Sequence, residues 1–449
     1  MADAYFTLVV WTTDTNMEHF KDMLESIDEQ EYREFELYIL DNNPSNAIEI
    51  TIKEFFPDIV DRVHYRRLKK KSGGAYAYNI GAHFAEGNYL VYIGQHDRLS
   101  PGTLSSFNEK INSSEDFNSI IYTDSDELIG IDRRNPHFKS DFNKELLLQT
   151  NYIGEFICLP VDLYKKLGAF NEKAKTAYIY EYLLRAAFKK EKIEHISSLL
   201  YHKRCDDKPL TKEQRQEAEF YCKEHMALAL EYLRQSGVTA QGRVDASLKK
   251  WHILYDETGF RRFSGDYMFL KEDNVKLFTR NNARRMYAFL NQPDVAVVGV
   301  RFIDKGFTVD NVGYIYDSDG AWYPAFHGQK IFRDSYDGLA NMARDVAMVD
   351  SGCCMIDAKV YRMLRGFDKS LSGKDAMLDF CIRARKKGYR TVVVPRCIAR
   401  YKNRSNISES SSHEFLMEKH GEIISDGDGF YNKNLPIGME NYLLPGAEL

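Results

Sequence analysis

The feature that most constrains this chain is an alternation in its first hundred residues. Apolar runs take turns with amphipathic stretches, and each apolar run stops at a cluster of polar residues. Residues 5–11 are a continuous run of β-formers, as a strand buried on both faces requires. Met17–Asp28 puts Phe20, Met23, Leu24 and Ile27 on one helical face. Residues 35–40 read as a second strand ending in Asp41-Asn42-Asn43-Pro44, and Val63–Arg67 as a third. Residues 75–85 read as a helix opened by Ser72-Gly73-Gly74. Tyr89–Ile93 is a further strand, ending in Gly94-Gln95-His96-Asp97. Strands alternating with helices predict an α/β, doubly wound domain with a mostly parallel sheet. Such sheets bind ligands beyond their strand ends, which is where the polar groups gather here.

Downstream, residues 119–123 read as a strand followed by Asp124-Ser125-Asp126-Glu127, and 129–142 as a charged loop. Val161–Leu167 and 180–188 read as helices. Thr211 and Gln214 have the spacing of a capping box that opens a long helix to about Gln235, expected to bridge two units. Beyond about residue 245 the alternation does not restart. Strands are expected at 267–270, 295–302, 348–356 and 391–394, with helices at 357–364 and 376–387 and a Ser-rich patch at 408–412. Leu163-Tyr164-Lys165-Lys166-Leu167-Gly168-Ala169-Phe170 parallels Val360-Tyr361-Arg362-Met363-Leu364-Arg365-Gly366-Phe367. Each precedes a helix with an acid four residues before an Arg (Glu181 and Arg185, Asp379 and Arg383), which predicts two copies of one supersecondary unit. The 449 residues suit two to four domains at roughly 100–200 residues each. The division expected is 1–205, a linking helix over 206–245, and a second unit over 246–449.

Composition removes several classes. Lys and Arg number 61 against 66 Asp and Glu, a net charge of −5, so the footprint of a nucleic-acid binder is absent. Seven cysteines without a C-x-x-C pair predict free thiols in a reducing compartment. Cys353 and Cys354 are expected in the core. The first residues hold no basic leader, and no apolar run approaches the ~18–20 residues of a span. A cytoplasmic protein is expected, at most at the inner face of a membrane.

Several segments carry a family resemblance. Phe6-Thr7-Leu8-Val9-Val10-Trp11-Thr12 stands where an opening I-I-I-P-T strand would. Leu40-Asp41-Asn42-Asn43 matches V-D-[DN]-x, and Tyr78-Asn79-Ile80-Gly81 matches R-N-x-G. Asp97-Arg98-Leu99-Ser100-Pro101 matches D-x-L-x-P, and Tyr122-Thr123-Asp124-Ser125-Asp126 matches Y-[ST]-D-x-D. Asn151-Tyr152-Ile153-Gly154 and Leu200-Tyr201-His202-Lys203-Arg204 match N-Y-I-G and L-Y-H-x-R. In their order these segments resemble the family 2 glycosyltransferases of the GT-A fold. More closely, they are similar to bacterial tandem, rhamnosyltransferase-like enzymes of surface polysaccharide assembly. The resemblance implies a Rossmann-like GT-A domain followed by a truncated second GT-A-like unit that helps to hold the acceptor. It also implies a metal-dependent, inverting hexosyl- or rhamnosyltransferase. The donor would be a UDP- or dTDP-sugar, and the acceptor a hydroxyl of a glycan, glycolipid or glycoprotein.

The residues the resemblance assigns follow motif by motif. The nucleotide sugar would meet Thr12, Asp41, Asn42, Gly74, Asn79 and Asp124, although Asp41 could equally cap its turn. Leaving diphosphate needs a counter-charge, so Mn²⁺ or Mg²⁺ would be held by Asp97 and His96, with His202 closing the site. The basic run 66–71 could attract the diphosphate or an anionic lipid carrier, which would bring peripheral membrane contact. Two departures stand out. The usual D-x-D-D falls on Gly94-Gln95-His96-Asp97, and the usual acidic base falls on Tyr178-Ile179. The candidates left for the base are Glu181, Glu155 and Asp126. Glu181 is rotated by ~200° on its helix and could be structural. The competing reading is a catalytically inactive GT-A-like scaffold or glycan-binding subunit. A nucleotidyltransferase is disfavoured, because Thr12-Thr13-Asp14 is not a Gly-rich basic loop. Glu272-Asp273 could mimic a metal motif in the second unit, yet the expectation is one nucleotide per chain.

Overall fold

The computed structural model describes residues 4–69, 72–114, 117–245, 247, 249–261, 265–332, 336–402, 413–438 and 442. Lys70, Lys71 and the Ser-rich patch lie outside the described residues. The chain divides into two compact units. The first comprises 1–142, 150–232 and 244–250, and the second 143–149, 233–243 and 251–449.

In the first unit β1 (Phe6–Thr12), α1 (Met17–Asp28), β2 (Phe35–Asp41), α2 (Ala47–Phe55), β3 (Val63–Arg67), α3 (Gly74–Phe84) and β4 (Tyr89–Ile93) alternate as expected. After them come β5 (Arg98–Leu99), α4 (Thr103–Ile111), β6 (Ile120–Ile129) and β7 (Asp132–His137). A short helix, α5 (Lys144–Leu147), falls in the second unit. Next are β8 (Cys158–Pro160), α6 (Val161–Leu167), α7 (Tyr178–Phe188), β9 (Ile193–Arg204) and α8 (Lys212–Gln235). Among the described residues the sheet order is β3-β2-β1-β4-β8-β6-β9-β5, with β7 paired to β6. The sheet is mixed. β3-β2-β1-β4 are parallel, as are β6 and β9, whereas β8, β5 and β7 pair antiparallel. Phe6, Leu8 and Val10 on β1 pack with Phe20, Met23, Leu24 and Ile27 of α1, all without exposed surface. Burying such large side chains contributes roughly 1.5–3 kcal/mol each.

Three readings are corrected here. β6 runs through Asp124-Ser125-Asp126-Glu127 and turns into β7 instead of ending in a loop. The carboxylates are tolerated inside the sheet because His195 and the backbone N–H of Lys139 meet Asp124, and His202 and Arg133 meet Asp126. His202 lies within β9, not after a strand. The long helix opens on the expected box, with Thr211 N donating to Gln214 Oε1 at 2.9 Å and Gln214 N to Thr211 Oγ at 3.2 Å. Up to Tyr232, however, it belongs to the first unit, where the Tyr232 hydroxyl donates to Glu181.

The second unit holds β10 (Ala240–Val244), β11 (Trp251–Tyr255), β12 (Tyr267–Lys271), β13 (Val275–Leu277), α9 (Asn282–Leu290) and β14 (Val295–Ile303). The strands β15 (Val309–Asn311), β16 (Tyr314–Tyr316), β17 (Trp322–Pro324), β18 (Arg344–Asp345) and β19 (Cys353–Asp357) follow. Then come α10 (Ala358–Met363), α11 (Gly373–Lys386), β20 (Arg390–Tyr401) and α12 (His413–Ile424). Its larger sheet runs β12-β19-β14-β20-β13, with β15 on β14 and β18 on β20. Only β14 and β20 are a parallel pair in it among the described residues. Cys353 and Cys354 are buried core residues. Residues 143–149 belong here for an electrostatic reason. Glu145, fully buried, accepts from the Tyr255 hydroxyl at 2.9 Å and pairs with Arg390 at 3.4 Å, and Lys144 pairs with Asp294 at 2.7 Å.

The internal repeat is physical. In the first unit Arg185 pairs with Glu181 on α7 and donates to the carbonyls of Leu167, Gly168 and Ala169, past the end of α6. In the second, Arg383 pairs with Asp379 on α11 and donates to the carbonyls of Leu364 and Gly366, past the end of α10. Helix ends leave carbonyls without intrahelical partners, and the guanidinium fork satisfies them while neutralising a buried acid. Removing one partner of a buried pair leaves a stranded charge. Arg185→Met should therefore lower the unfolding free energy by about 3–5 kcal/mol, to be read from urea denaturation. An effect below about 1 kcal/mol would mean that the pair does not hold α6 to α7.

Candidate functional site

The parallel strands β1, β2 and β4 end side by side, with Thr12 opposite Asp41 in register. Asp41 is fully buried. Its Oδ1 accepts from the Thr12 hydroxyl and from both the backbone N and Nδ2 of Asn43, each at 2.8 Å, and its Oδ2 accepts from the Tyr65 hydroxyl at 2.7 Å. Burial and hydrogen bonding to the carboxylate place the Tyr65 phenol well above its ordinary pKa. Asp41 and Thr12 thus tie the strand ends together. Asn42 Oδ1 accepts from Trp11 Nε1 at 2.9 Å and from the Ser72 hydroxyl at 3.0 Å, joining β1 to the loop before α3.

Gly74 begins α3 because nothing larger fits: a Cβ there would sit 2.3 Å from the Tyr178 hydroxyl. Asn79 is absorbed into structure, its amide clamping the backbone N–H and carbonyl of Phe170 at 2.8 and 3.0 Å. Asp124, fully buried, accepts from His195 Nε2 and Lys139 N, each at 2.8 Å. Burial pushes the neighbouring Lys139 ammonium down to about 8, against the pull of Asp124.

The expected metal ligands are not brought together. Asp97 accepts from the Tyr201 hydroxyl on Oδ2 and from Arg204 N on Oδ1 at 2.8 Å. Gly94 makes room for this inward turn, since a Cβ there would lie 2.1 Å from Asp97 Oδ2. His96 Nε2 accepts the Asn16 N–H at 3.0 Å. Burial, and then the ring of His19 with its centroid 5.6 Å away, lower the His96 pKa. His202 spends both nitrogens, on Asp126 at 2.7 Å and Ser100 at 2.9 Å. Asp126 is paired with Arg133 at 2.7 Å through its other oxygen. Among the described residues no three His, Cys, Asp or Glu side chains converge as a metal site would need. Resident metal does not fit these side chains as they are arranged.

The three expected bases separate cleanly. Glu181 is buried against Arg185 and Tyr232, and Asp126 is paired as above. Glu155 is exposed. Its charge acts on Tyr78, Tyr178, Tyr221 and Lys203, so these side chains share its electrostatic surroundings. Lys203 shares a face of β9 with Tyr201, two residues apart. Glu155 first, then Asp97, holds the Lys203 ammonium above its ordinary pKa. Tyr178, Tyr221 and Lys203 are the surroundings of Glu155 that motif reading missed. Tyr178 could have been found, because it fills the position where an acid was expected. Beside the strand ends a cleft of about 730 Å³ is lined by Arg66, Arg67, Lys69, Ser72, Glu172 and Lys175.

One wall of the site titrates. His225 is buried, its ring 3.7 Å from that of Tyr221 and its Nδ1 donating to the Tyr221 carbonyl at 2.8 Å. Burial pushes its pKa down from 6.5 to about 4. Between those values the unfolded chain binds the extra proton, so stability is full above about pH 6.5 and falls as pH drops towards 4. Relative to His225→Phe, the wild-type chain should lose up to about 3 kcal/mol across that window. Denaturation at pH 7 and pH 4.5 checks it. Equal pH dependence in the two chains would contradict a neutral buried His225.

Residues 18–167 match the family model described as Glycosyl transferase family 2. Over 525 residues the chain is 22% identical to an uncharacterized protein, y4gI, of Sinorhizobium fredii, covering 94% of this chain and 56% of that one. Over 199 residues it is 24% identical to the O-antigen biosynthesis protein RfbC of Myxococcus xanthus, covering 44% of this chain and 16% of that one. The chain thus spans less than two thirds of the length of both relatives. Among solved structures it is similar to S. aureus TarS 1–349, at 16% identity and a TM-score of 0.39, over 51% of this chain and 72% of that one.

Proposed function

We propose, from this family 2 domain, that the first unit transfers a sugar from a nucleotide diphosphate to a hydroxyl of a glycan-type acceptor. The observation that carries the reading is the coincidence of two facts. The family match takes in β2, β3, α3 and β4, and Glu155, inside the same match, is exposed with no side-chain hydrogen bond or ion pair among the described residues. In the proposed step the acceptor oxygen attacks the anomeric carbon while the bond to the diphosphate breaks, its electron pair leaving with the phosphate oxygen. Glu155 takes the acceptor proton, and in-line attack inverts the anomeric centre. The nucleoside would lie over the ends of β1 and β2, near Trp11, Asn42 and Ser72, and the basic cleft beside α3 would favour its phosphates. A UDP- or dTDP-sugar carrying a hexosyl or rhamnosyl group is the donor we favour. Similarity to a protein named for O-antigen biosynthesis supports a cell-surface glycan as the acceptor.

A second reading has its own support. Tyr178 and Ile179 stand where the acid was expected, and Asp41, Asn79 and Asp124 are spent on internal bonds. These favour a domain that binds nucleotide or glycan without transfer. The experiment that separates the two is a donor-hydrolysis and transfer screen with UDP-, dTDP- and GDP-sugars. Glu155→Gln should reduce turnover by about 10²–10⁴-fold while nucleotide affinity stays within twofold. Wild-type turnover in the variant would remove Glu155 as the base. Nucleotide binding without turnover by wild type in any of the three donor series would favour the silent reading.

A further inference from the structure

We propose that Lys203 supplies the positive charge that stabilises the leaving diphosphate, so that the first unit works without a divalent cation. The inference rests on the transferase reading above and begins from the disagreement between the expected ligands and their surroundings. At the end of β4 each side chain that could face a cation is already committed. Asp97 is held on one oxygen by the Tyr201 hydroxyl and on the other by the Arg204 N–H. Gln95 Oε1 accepts from Thr13 N at 3.0 Å and from the Thr15 hydroxyl at 2.6 Å, and its Nε2 donates to the Thr13 carbonyl at 2.9 Å. His96 offers its Nε2 lone pair to Asn16. The imidazole of His202 is bridged between Asp126 and Ser100. Recruiting any two of these would unfasten α1 or β9 from the loop after β4.

The nearby cations divide just as sharply. Arg204 spends its guanidinium on the carbonyls of His96 and Gly130 and on Asp22. Arg133 is paired with Asp126, and the ammonium of Lys139 donates to the carbonyls of Thr123 and Ile153 at 2.8 Å. The Lys203 side chain makes no hydrogen bond or ion pair among the described residues, is exposed, and directly precedes Arg204, whose backbone N–H holds Asp97 at 2.8 Å, two residues after Tyr201, whose hydroxyl holds the other oxygen of Asp97. It is therefore an uncommitted cation beside the proposed base, on a flexible four-carbon stem with three donors. A preorganised positive charge at the point where negative charge develops is what departure of a diphosphate requires. A lysine can provide it as a point charge. The same lysine would pair with the ground-state diphosphate, so its loss should appear in binding as well as in turnover.

The test uses the full chain, UDP and dTDP, their sugar conjugates, and uridine and thymidine as phosphate-free probes. After EDTA treatment, nucleotide-diphosphate affinity and donor hydrolysis should remain within twofold of their values with added Mn²⁺. Lys203→Met should weaken diphosphate binding at least tenfold, leave nucleoside binding within twofold, and melt like wild type. Lys203→Arg should recover most of the lost affinity. Binding that appears only with Mn²⁺, or a Lys203→Met chain that binds the diphosphate like wild type, would overturn the role of Lys203 and leave the transferase standing. No nucleotide binding in either condition would overturn the transferase reading, and the role of Lys203 with it.

Discussion

Arg185 and Arg383 each leave their own helix to collect the carbonyls that end the helix before it. The arrangement works only because a carboxylate on the same helix, one turn earlier, cancels the charge: Glu181 in one unit and Asp379 in the other. A third element closes each clamp from outside, Tyr232 of α8 on Glu181, and Lys419 and His420 of α12 on Asp379. Neither acid can be a proton acceptor for chemistry while it serves in this way, because its lone pairs are filled and its charge is needed where it is. The constraint that stabilises the helix pair therefore commits both acids to the fold.

The strand–helix alternation was legible because buried parallel strands read as unbroken apolar runs and α1 shows its apolar face at helical spacing. The repeat was legible too, since its clamp needs an acid and an arginine four residues apart on one helix. The course of β6 was not legible. Asp124 and Asp126 look like a strand end in a one-dimensional reading, and the histidines that hydrogen-bond them, His195 and His202, lie 71 and 76 residues away. The place of residues 143–149 was hidden for the same reason. Glu145 answers to Arg390, 245 residues further along the chain.

At the site, the motifs located positions but not the state of the side chains on them. Asp41, Asn79, Asp97 and His202 all lie near the strand ends or on the helix and strand the resemblance named, yet each is saturated by neighbours. Whether a carboxylate is free or spent depends on donors brought by the fold, such as Tyr65 for Asp41 and Tyr201 for Asp97. The alternation of β9 adds a second blind spot. His202 is the residue a reader of motifs notices, but the strand turns it towards Asp126 and Ser100 and leaves its neighbour, Lys203, exposed.

Asp97 is useful to the fold as an acceptor. It fixes the hydroxyl of Tyr201, whose ring stacks on Phe156 with centroids 4.3 Å apart, and it caps the end of β9 through Arg204 N. A buried polar group of this kind is expensive to leave unpaired, so the aspartate and the tyrosine constrain each other whatever the chemistry nearby. The first acid of the usual motif has no such second role. Gly94 in its place gives Asp97 the room to turn inwards. Gly94 and the inward-turned Asp97 thus form one local arrangement, a hydrogen-bond clamp between the end of β4 and the end of β9.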